Sequence, residues 1–240
     1  MQTPARIVIT GASGFVGRRL VAALAARYPD AEITGLDRAG EAGARLDMTD
    51  GASVDAAIAR HRPTHLVHLA AISSVPQSFS DPELTWRTNV FGTLSLIMAL
   101  QKHAPDCRML FVSSAEVYGR STFNGVPVTE EALLQPNNPY AASKAAADIM
   151  VREASNRGLK ATIVRPFNHT GPGQTDAFVI PAFCSQIARI EKGLQPPRMD
   201  VGELNDERDF SDVRDIIDLY VQIIGASDRL PPGLTLNAAS

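Results

Sequence analysis

The sequence predicts an α/β fold, a doubly wound parallel sheet, from three observations. Short β-branched runs such as Ile7-Val8-Ile9-Thr10 alternate with stretches of helical periodicity along most of the chain. The first run ends in a glycine-rich turn, Gly11-Ala12-Ser13-Gly14-Phe15-Val16-Gly17, and the second strand, Glu32 to Leu36, ends in an acid, Asp37. At 240 residues, 45% hydrophobic and 20% charged, the chain is long enough for one large domain with a sizeable core.

Each element follows from local pattern. After the glycine turn, Phe15, Val16, Leu20, Val21 and Leu24 repeat at helical spacing. The glycines let the backbone approach a pyrophosphate, while the helix N-terminus directs N–H groups and a positive dipole end at it. Asp37 lies where a carboxylate accepts from an adenosine ribose, so strand, loop, helix, strand and acid together predict a Rossmann-type dinucleotide site. The charge of Asp37 favours NAD over NADP, whereas Arg38 beside it could pair with a 2′-phosphate. Ala44-Arg45-Leu46 reads as a short strand delivering Asp47 and Met48; Asp47 either accepts from the adenine amino group or caps the helix from Gly51 to Arg60, with Thr49 and Asp50 as rival caps.

Thr64 to Leu69 is a buried-strand run closed by Ala70-Ala71, whose small side chains let a cofactor lie close. His65 and His68 share neither a helical face nor alternate strand positions and are read as structural. Asp81 to Lys102 reads as one long helix started by Pro82. Asn89 inside it is either exposed or holds a specific partner. Met109 to Val112 is the next strand, handing over to Ser113-Ser114-Ala115-Glu116, hydroxyls at a carboxyl strand end where open α/β sheets place ligand chemistry. The loop from Arg120 to Asn138 is long enough to cover a site. Ala161 to Arg165 is a further strand. Beyond Pro166 come a turn-rich loop to Gln174, a helix from Phe178 to Lys192, a short strand from Pro196 to Val201, a helix capped near Ser211, Asp212 or Asp215, and a strand at Leu234 to Asn237. The division expected is a dinucleotide-binding domain over 1–166 and a partial substrate cap over 167–240, with elements returning to the sheet.

Asn138-Pro139-Tyr140-Ala141-Ala142-Ser143-Lys144 opens another helix, which runs to about Asn156. Residues four apart share a helical face, so Lys144 reaches toward Tyr140, and a cation beside a phenol favours its ionised form. That makes a tunable acid/base.

Composition excludes other classes. The formal net charge is −3, from 23 basic and 26 acidic residues with no basic block, which argues against nucleic acid or an anionic membrane as partner. Cys107 and Cys184 lack metal-ligand spacing, no metal site is expected, and the cysteine usage fits a reducing, cytoplasmic setting. The stretch from Met1 to Arg6 leads straight into a strand, leaving no room for a leader, and no apolar stretch reaches spanning length.

The Gly11 loop, Asp37, the Leu69-Ala70-Ala71 strand end, Asn89, Ser114 and the Tyr140/Lys144 pair occur in an order that resembles the extended short-chain dehydrogenase/reductases, the NAD-dependent epimerase/dehydratase family. Within it, Arg165 to Gln174 and Arg208-Asp209-Phe210-Ser211-Asp212-Val213 are similar to the GDP-4-dehydro-6-deoxy-D-mannose reductases. The resemblance implies reduction of a C4 ketone to give GDP-D-rhamnose, with 4,6-dehydration, 4-epimerisation or a non-catalytic NAD(P)-binding remnant as alternatives. It makes Tyr140 the proton donor, Lys144 the residue that lowers its pKa and holds the nicotinamide ribose, and Ser114 the hydroxyl that positions the substrate oxygen. Glu116 stands where dehydratases carry a base; here it is a relic, a polar wall or a base. The cofactor side comprises Gly11, Ser13, Gly14, Phe15, Val16, Gly17, Asp37, Arg38, Asp47, Met48, Leu69, Ala70, Ala71, Asn89, Tyr140 and Lys144. The substrate side comprises Ser73, Ser114, Asn168, His169 and Arg208, with Asn168 and Arg208 on the diphosphate. The resemblance implies a homodimer through the Asp81 and Tyr140 helices. Family members continue past the strand at Leu234, so the expectation from Ser240 is a truncated or shortened cap.

Overall fold

The computed structural model describes residues 6–40, 44–122, 126–205 and 207–240. The expectation of no leader falls on residues 1–5, which lie outside the described residues. In chain order the strands are β1 (Arg6–Thr10), β2 (Glu32–Leu36), β3 (His65–His68), β4 (Arg108–Val112), β5 (Lys160–Pro166), β6 (Asn168–Thr170), β7 (Phe210–Asp212) and β8 (Leu234–Ala238). Six of them form a parallel sheet in the order β2-β1-β3-β4-β5-β8, and β6 and β7 make a separate parallel pair. The helices are α1 (Phe15–Arg27), α2 (Gly51–His61), α3 (Val75–Ser80), α4 (Pro82–Trp86), α5 (Gly92–His103), α6 (Pro139–Asn156), α7 (Val179–Glu191) and α8 (Val213–Ala226).

Strand alternation decides which helix covers which face. Val8, Leu66, Met109, Phe111 and Ile163 face α2, α5 and α6, whereas Ile7, Ile9, Val67, Leu110 and Val164 face α1 and α8. Both faces of a parallel sheet must be covered, so its strands are apolar on both sides. Fully burying one Leu or Ile side chain is worth about 1.5–3 kcal/mol, and both layers are built of such residues.

The structure departs from the sequence expectation in three places and decides one open choice. The long helix is α4, a π-helical turn at Arg87–Phe91 and α5 in succession, and α3 precedes it. Ala44 to Leu46 contributes only one bridge, Asp37 to Arg45. Pro196 to Val201 is not a strand; its backbone is held instead by Gln186, which accepts from Asp200 N at 2.7 Å. Asp212 wins the competition to cap α8, accepting from Arg214 N at 2.8 Å.

His65 and His68 are structural. His65 is bonded to Thr64 and Ser227. His68 is wedged between Thr10 Oγ1 at 2.7 Å and Thr93 Oγ1 at 3.1 Å. Thr93 gives its hydroxyl proton to Asn89 O, so it accepts from His68 Nε2–H, and Nδ1 accepts from Thr10. Burial, with the Lys144 charge adding to it, pushes His68 down to about 3. Burial, aided by Arg108, pushes His65 down to about 4. Both folded pKa values lie below the unfolded value of about 6.5, so their stabilisation is complete above pH ~6.5 and is lost as pH falls toward the folded values. Urea midpoints should therefore decline between pH ~6.5 and ~5, before most carboxylates titrate, by up to about 1.4 kcal/mol per unit for each histidine. His68→Gln should flatten that decline; a midpoint independent of pH in this window would contradict the assignment.

Candidate active site

Gly11, at the end of β1, has φ of +74°, a left-handed conformation that glycine adopts without strain. A Cβ there would sit 2.8 Å from Ala70 N, so the loop is pressed against the end of β3. At Gly17 a Cβ would fall 2.3 Å from Gly11 O, which is how α1 packs onto the turn it follows. Gly14 caps α1 without a side-chain bond, leaving the first-turn N–H groups at Phe15 to Gly17 directed outward. A dinucleotide pyrophosphate fits this cradle: the donors are backbone N–H groups at a helix N-terminus, and no side chain fills the turn.

Asp37 stands at the end of β2 beside a cavity of about 410 Å³ lined by Ala12, Ser13, Arg18, Gly35 and Asp37 among others. It accepts from Ser13 N at 3.1 Å, Ser13 Oγ at 2.6 Å and Arg38 N at 2.8 Å. Burial pushes its carboxyl up, but these bonds more than offset that and hold it below the usual range. Asp47 turns on itself, accepting from Thr49 N and Oγ1 at 2.9 and 2.7 Å, while Asp50 caps α2. Of the competing caps, Asp50 is therefore the one used. Met48 is buried against Gly92, where a Cβ would meet Met48 O at 2.7 Å. Leu69 N and Ala70 N donate to Thr10 O and Oγ1, bringing the small residues Ala70-Ala71 beside the glycine turn.

Asn89 is 2% exposed inside the π turn, and its amide explains that position. Its Oδ1 accepts from Ile72 N at 2.8 Å, and its Nδ2 donates to Ile72 O at 3.0 Å and to Ser143 Oγ at 2.9 Å. Those partners tie the β3 exit loop to α6; Asn89 acts as a brace behind the crevice.

Asn138 caps α6, accepting from Ala141 N at 2.7 Å, and Pro139 occupies the first turn. Tyr140 follows, half-buried, with Ser78 Oγ of α3 receiving its backbone N–H at 3.1 Å. Ser143 donates to Tyr140 O at 2.7 Å. Ser114, beyond β4, is near enough to the Tyr140 phenol to lower its pKa, and it accepts from Glu116 N at 3.2 Å. Glu116 in turn accepts from Asn138 Nδ2 at 3.3 Å. Ser114, Glu116, Tyr140 and Lys144 are thus gathered at the carboxyl rim of β4.

One expected interaction is corrected. Lys144 is turned inward, donating to Val112 O at 2.5 Å with its ammonium 4.7 Å from the Phe111 ring centroid. Burial pushes it down to about 8 against the opposing pull of Asp148. The Tyr140 phenol is held above its ordinary value, by burial first, with Ser114 lowering it and Glu116 raising it. Lys144 does not lower Tyr140 here, because its ammonium bonds β4 rather than the phenol.

On the cap side β6 pairs with β7, setting Asn168 opposite Phe210 and Thr170 opposite Asp212. His169 Nδ1 lies 3.1 Å from Phe167 O, and burial lowers its pKa. Ser73 and Arg208 are exposed, and Arg208 donates to Glu207 O at 2.8 Å. Sequence reasoning missed Ser78 and Ser143, which hold Tyr140, and Arg19. The Arg19 guanidinium lies over the Phe15 ring and donates to Pro172 O, fastening the loop after β6 to α1.

The chain matches the model of the NAD dependent epimerase/dehydratase family over residues 7–239. The chain belongs to that family. It is 37% identical over 220 residues to a GDP-6-deoxy-D-mannose reductase of Pseudomonas aeruginosa, covering 91% of this chain and 70% of that protein. It is 32% identical to a dTDP-glucose 4,6-dehydratase of Mycobacterium tuberculosis, covering 80% of this chain and 60% of the relative. Among solved structures, RMD from Pseudomonas aeruginosa complexed with NADPH matches with a TM-score of 0.85 at 36% identity, over 98% of this chain and 76% of that one. The Thermus thermophilus UDP-glucose 4-epimerase complex with NAD matches with a TM-score of 0.81 at 29% identity, over 98% and 78%. The two solved structures hold NADPH and NAD, and the glycine cradle described above fits NAD(P).

Gly11→Ala should strain the left-handed turn by about 1 kcal/mol or more and force the loop off Ala70. Titration of nicotinamide fluorescence should show cofactor affinity reduced by roughly tenfold, since ~1.4 kcal/mol is tenfold in binding. Unchanged affinity would mean that the turn does not carry the pyrophosphate.

Proposed function

We propose that the chain reduces the C4 ketone of GDP-4-dehydro-6-deoxy-D-mannose to GDP-D-rhamnose. The observation that carries this is the gathering of Ser114, Glu116, Tyr140 and Lys144 at the carboxyl rim of β4, where Ser114 acts on the Tyr140 phenol. Similarity to the Pseudomonas aeruginosa reductase supports the sugar nucleotide. Gly11 to Gly17 would hold the pyrophosphate, Asp37 the adenosine ribose, and Lys144 the nicotinamide ribose. The bound cofactor supplies the hydride. Ser114 orients the ketone oxygen by hydrogen bonding, and Tyr140 gives its proton to that oxygen as negative charge develops. A phenol held above its ordinary pKa is protonated at neutral pH, the state a donor needs. Asn168 and Arg208 are assigned to the diphosphate, for which a guanidinium fork is suited, and His169 to the sugar-side wall.

Tyr140→Phe should lose at least about 100-fold in turnover while retaining cofactor binding, since general acid catalysis contributes roughly 10²–10⁴. Oxidation of the reduced nicotinamide, followed by absorbance with mass detection of the sugar nucleotide, tests it; absence of turnover by the native protein would refute the reading. The ionised Asp37 repels a 2′-phosphate, so the same assay should run at lower cofactor concentration with NADH than with NADPH.

A second reading, dehydration or epimerisation, is favoured by Glu116, whose carboxylate acts on the Tyr140 phenol. It would convert substrate without net consumption of nicotinamide.

The partner assigned beyond substrate is a second copy of the chain. Phe91 and Met98 around α5 and Ile149 of α6 are more than half exposed on helices whose other faces are already buried against the sheet. Sedimentation should give a dimer at micromolar concentration, shifted toward monomer by the Met98→Glu, Ile149→Glu pair.

A further inference from the structure

Arg165 is fully buried on β5 and makes four side-chain hydrogen bonds, each 2.9 Å long. Its Nε and one terminal nitrogen grip both oxygens of Asp148, which is also fully buried, in the middle of α6. Its other terminal nitrogen donates to the Tyr118 hydroxyl and to Glu130 O. Tyr118 passes its own proton to Asn237 Oδ1 at 2.7 Å, and Asn237 N donates to Glu130 Oε1 at 2.7 Å. One guanidinium thus joins the helix of Tyr140 and Lys144, the Ala115–Thr122 segment that follows Ser114, the loop at Glu130 and the end of β8.

A buried ion pair is weak evidence for stability, because apolar residues of similar shape commonly serve as well. Here its placement has a consequence. Tyr140, Lys144 and Asp148 succeed one another at four-residue spacing, so they share one face of α6. We propose that Arg165 is a positioning residue: by gripping Asp148, Tyr118 and Glu130 together it fixes α6 against the Ser114 segment and holds the Asp148 charge one turn below the Lys144 ammonium. The other groups shown around that ammonium are the Val112 carbonyl and Phe111 ring of β4 and His68 of β3, which is neutral. Arg152 lies 3.9 Å from Asp148 on the side away from Lys144 in sequence. Asp148 is therefore the carboxylate of this set, and its pull on Lys144 is upward.

The inference rests on Tyr140 and Lys144 being the acid/base pair, and the test separates its failure from that of the reaction. Competitive acetylation with mass detection follows protonation of Lys144 without turnover. Wild-type Lys144 should half-label near its value of about 8. Asp148→Asn should move that point down by about one pH unit, the alkaline limb of kcat/KM by a similar amount, and kcat down roughly tenfold with KM little changed. Asp148→Glu, which keeps the charge, should recover most of both effects. Arg165→Lys keeps the charge but loses the fork, and should lower kcat while leaving cofactor binding intact. Should Asp148→Asn fail to fold, the paired Asp148→Asn, Arg165→Gln variant removes two charges that act on Lys144 in opposite senses, and kcat must still fall because α6 has lost its grip on the Ser114 segment. Folded variants with wild-type Lys144 titration and wild-type kcat would overturn the proposal. An inactive native protein would sink the reductase reading, and the labelling would still decide for or against Asp148.

Discussion

Six strands running in one direction place all their carboxyl ends on one rim, and the rest of the molecule follows from how that rim is finished. Thr10, His68 and Val112 are the last residues of three neighbouring strands, and each gives up a polar group to the site's framework. Thr10 O and Oγ1 receive Leu69 and Ala70, Thr10 Oγ1 also bonds His68, and Val112 O receives Lys144. The rim is therefore not an open row of carbonyls awaiting ligand. It is partly satisfied from within, so the crevice is already shaped before anything enters it.

The same internal satisfaction explains the charge state of the site. Lys144 is 5% exposed and pays for its burial with a carbonyl, an aromatic face and a carboxylate four residues on. Its inward pose leaves the phenol under the control of Ser114, Glu116 and burial. Under the proposed function, a nicotinamide ribose entering the crevice would offer the ammonium oxygen acceptors in competition with Val112 O. The direction of that competition is set by how strongly the positive charge is held, which returns the matter to Asp148 and its guanidinium partner.

The sequence made the dinucleotide half legible, because its signals are local. Gly11, Gly14 and Gly17 answer to close approach, Asp37 to the end of β2, and Tyr140 and Lys144 to a strong N-cap and a Pro at the first turn. What escaped was either too short or too distant in sequence. α3 spans six residues, fewer than periodicity can register. β6 and β7 are three residues each and find one another across some forty residues, with nothing local to announce the pairing. The π turn was visible only as an Asn in a helix, although that anomaly was the correct pointer. Lys144 was placed on the right face but aimed at the wrong partner, since spacing fixes the face of a helix and not the rotamer. Arg165 read as one member of an apolar strand run, because burial of a charge is decided by residues from three other segments.

The β6–β7 pair has a bearing on how such a molecule can change. It acts as a clasp at the neck of the excursion from Gly171 to Asp209, and α7, the helix of that excursion, has no buried residue. Closing the neck means that the excursion contributes little to the sheet below, and lengthening a closed loop costs only about 0.6 kcal/mol per doubling. Insertions, deletions and new side chains can accumulate there while the strands, the glycine turn and the Tyr140 helix stay as they are. The fold thereby divides between a sheet-borne frame and an exchangeable visor, and changes in chain length would be absorbed first in the visor.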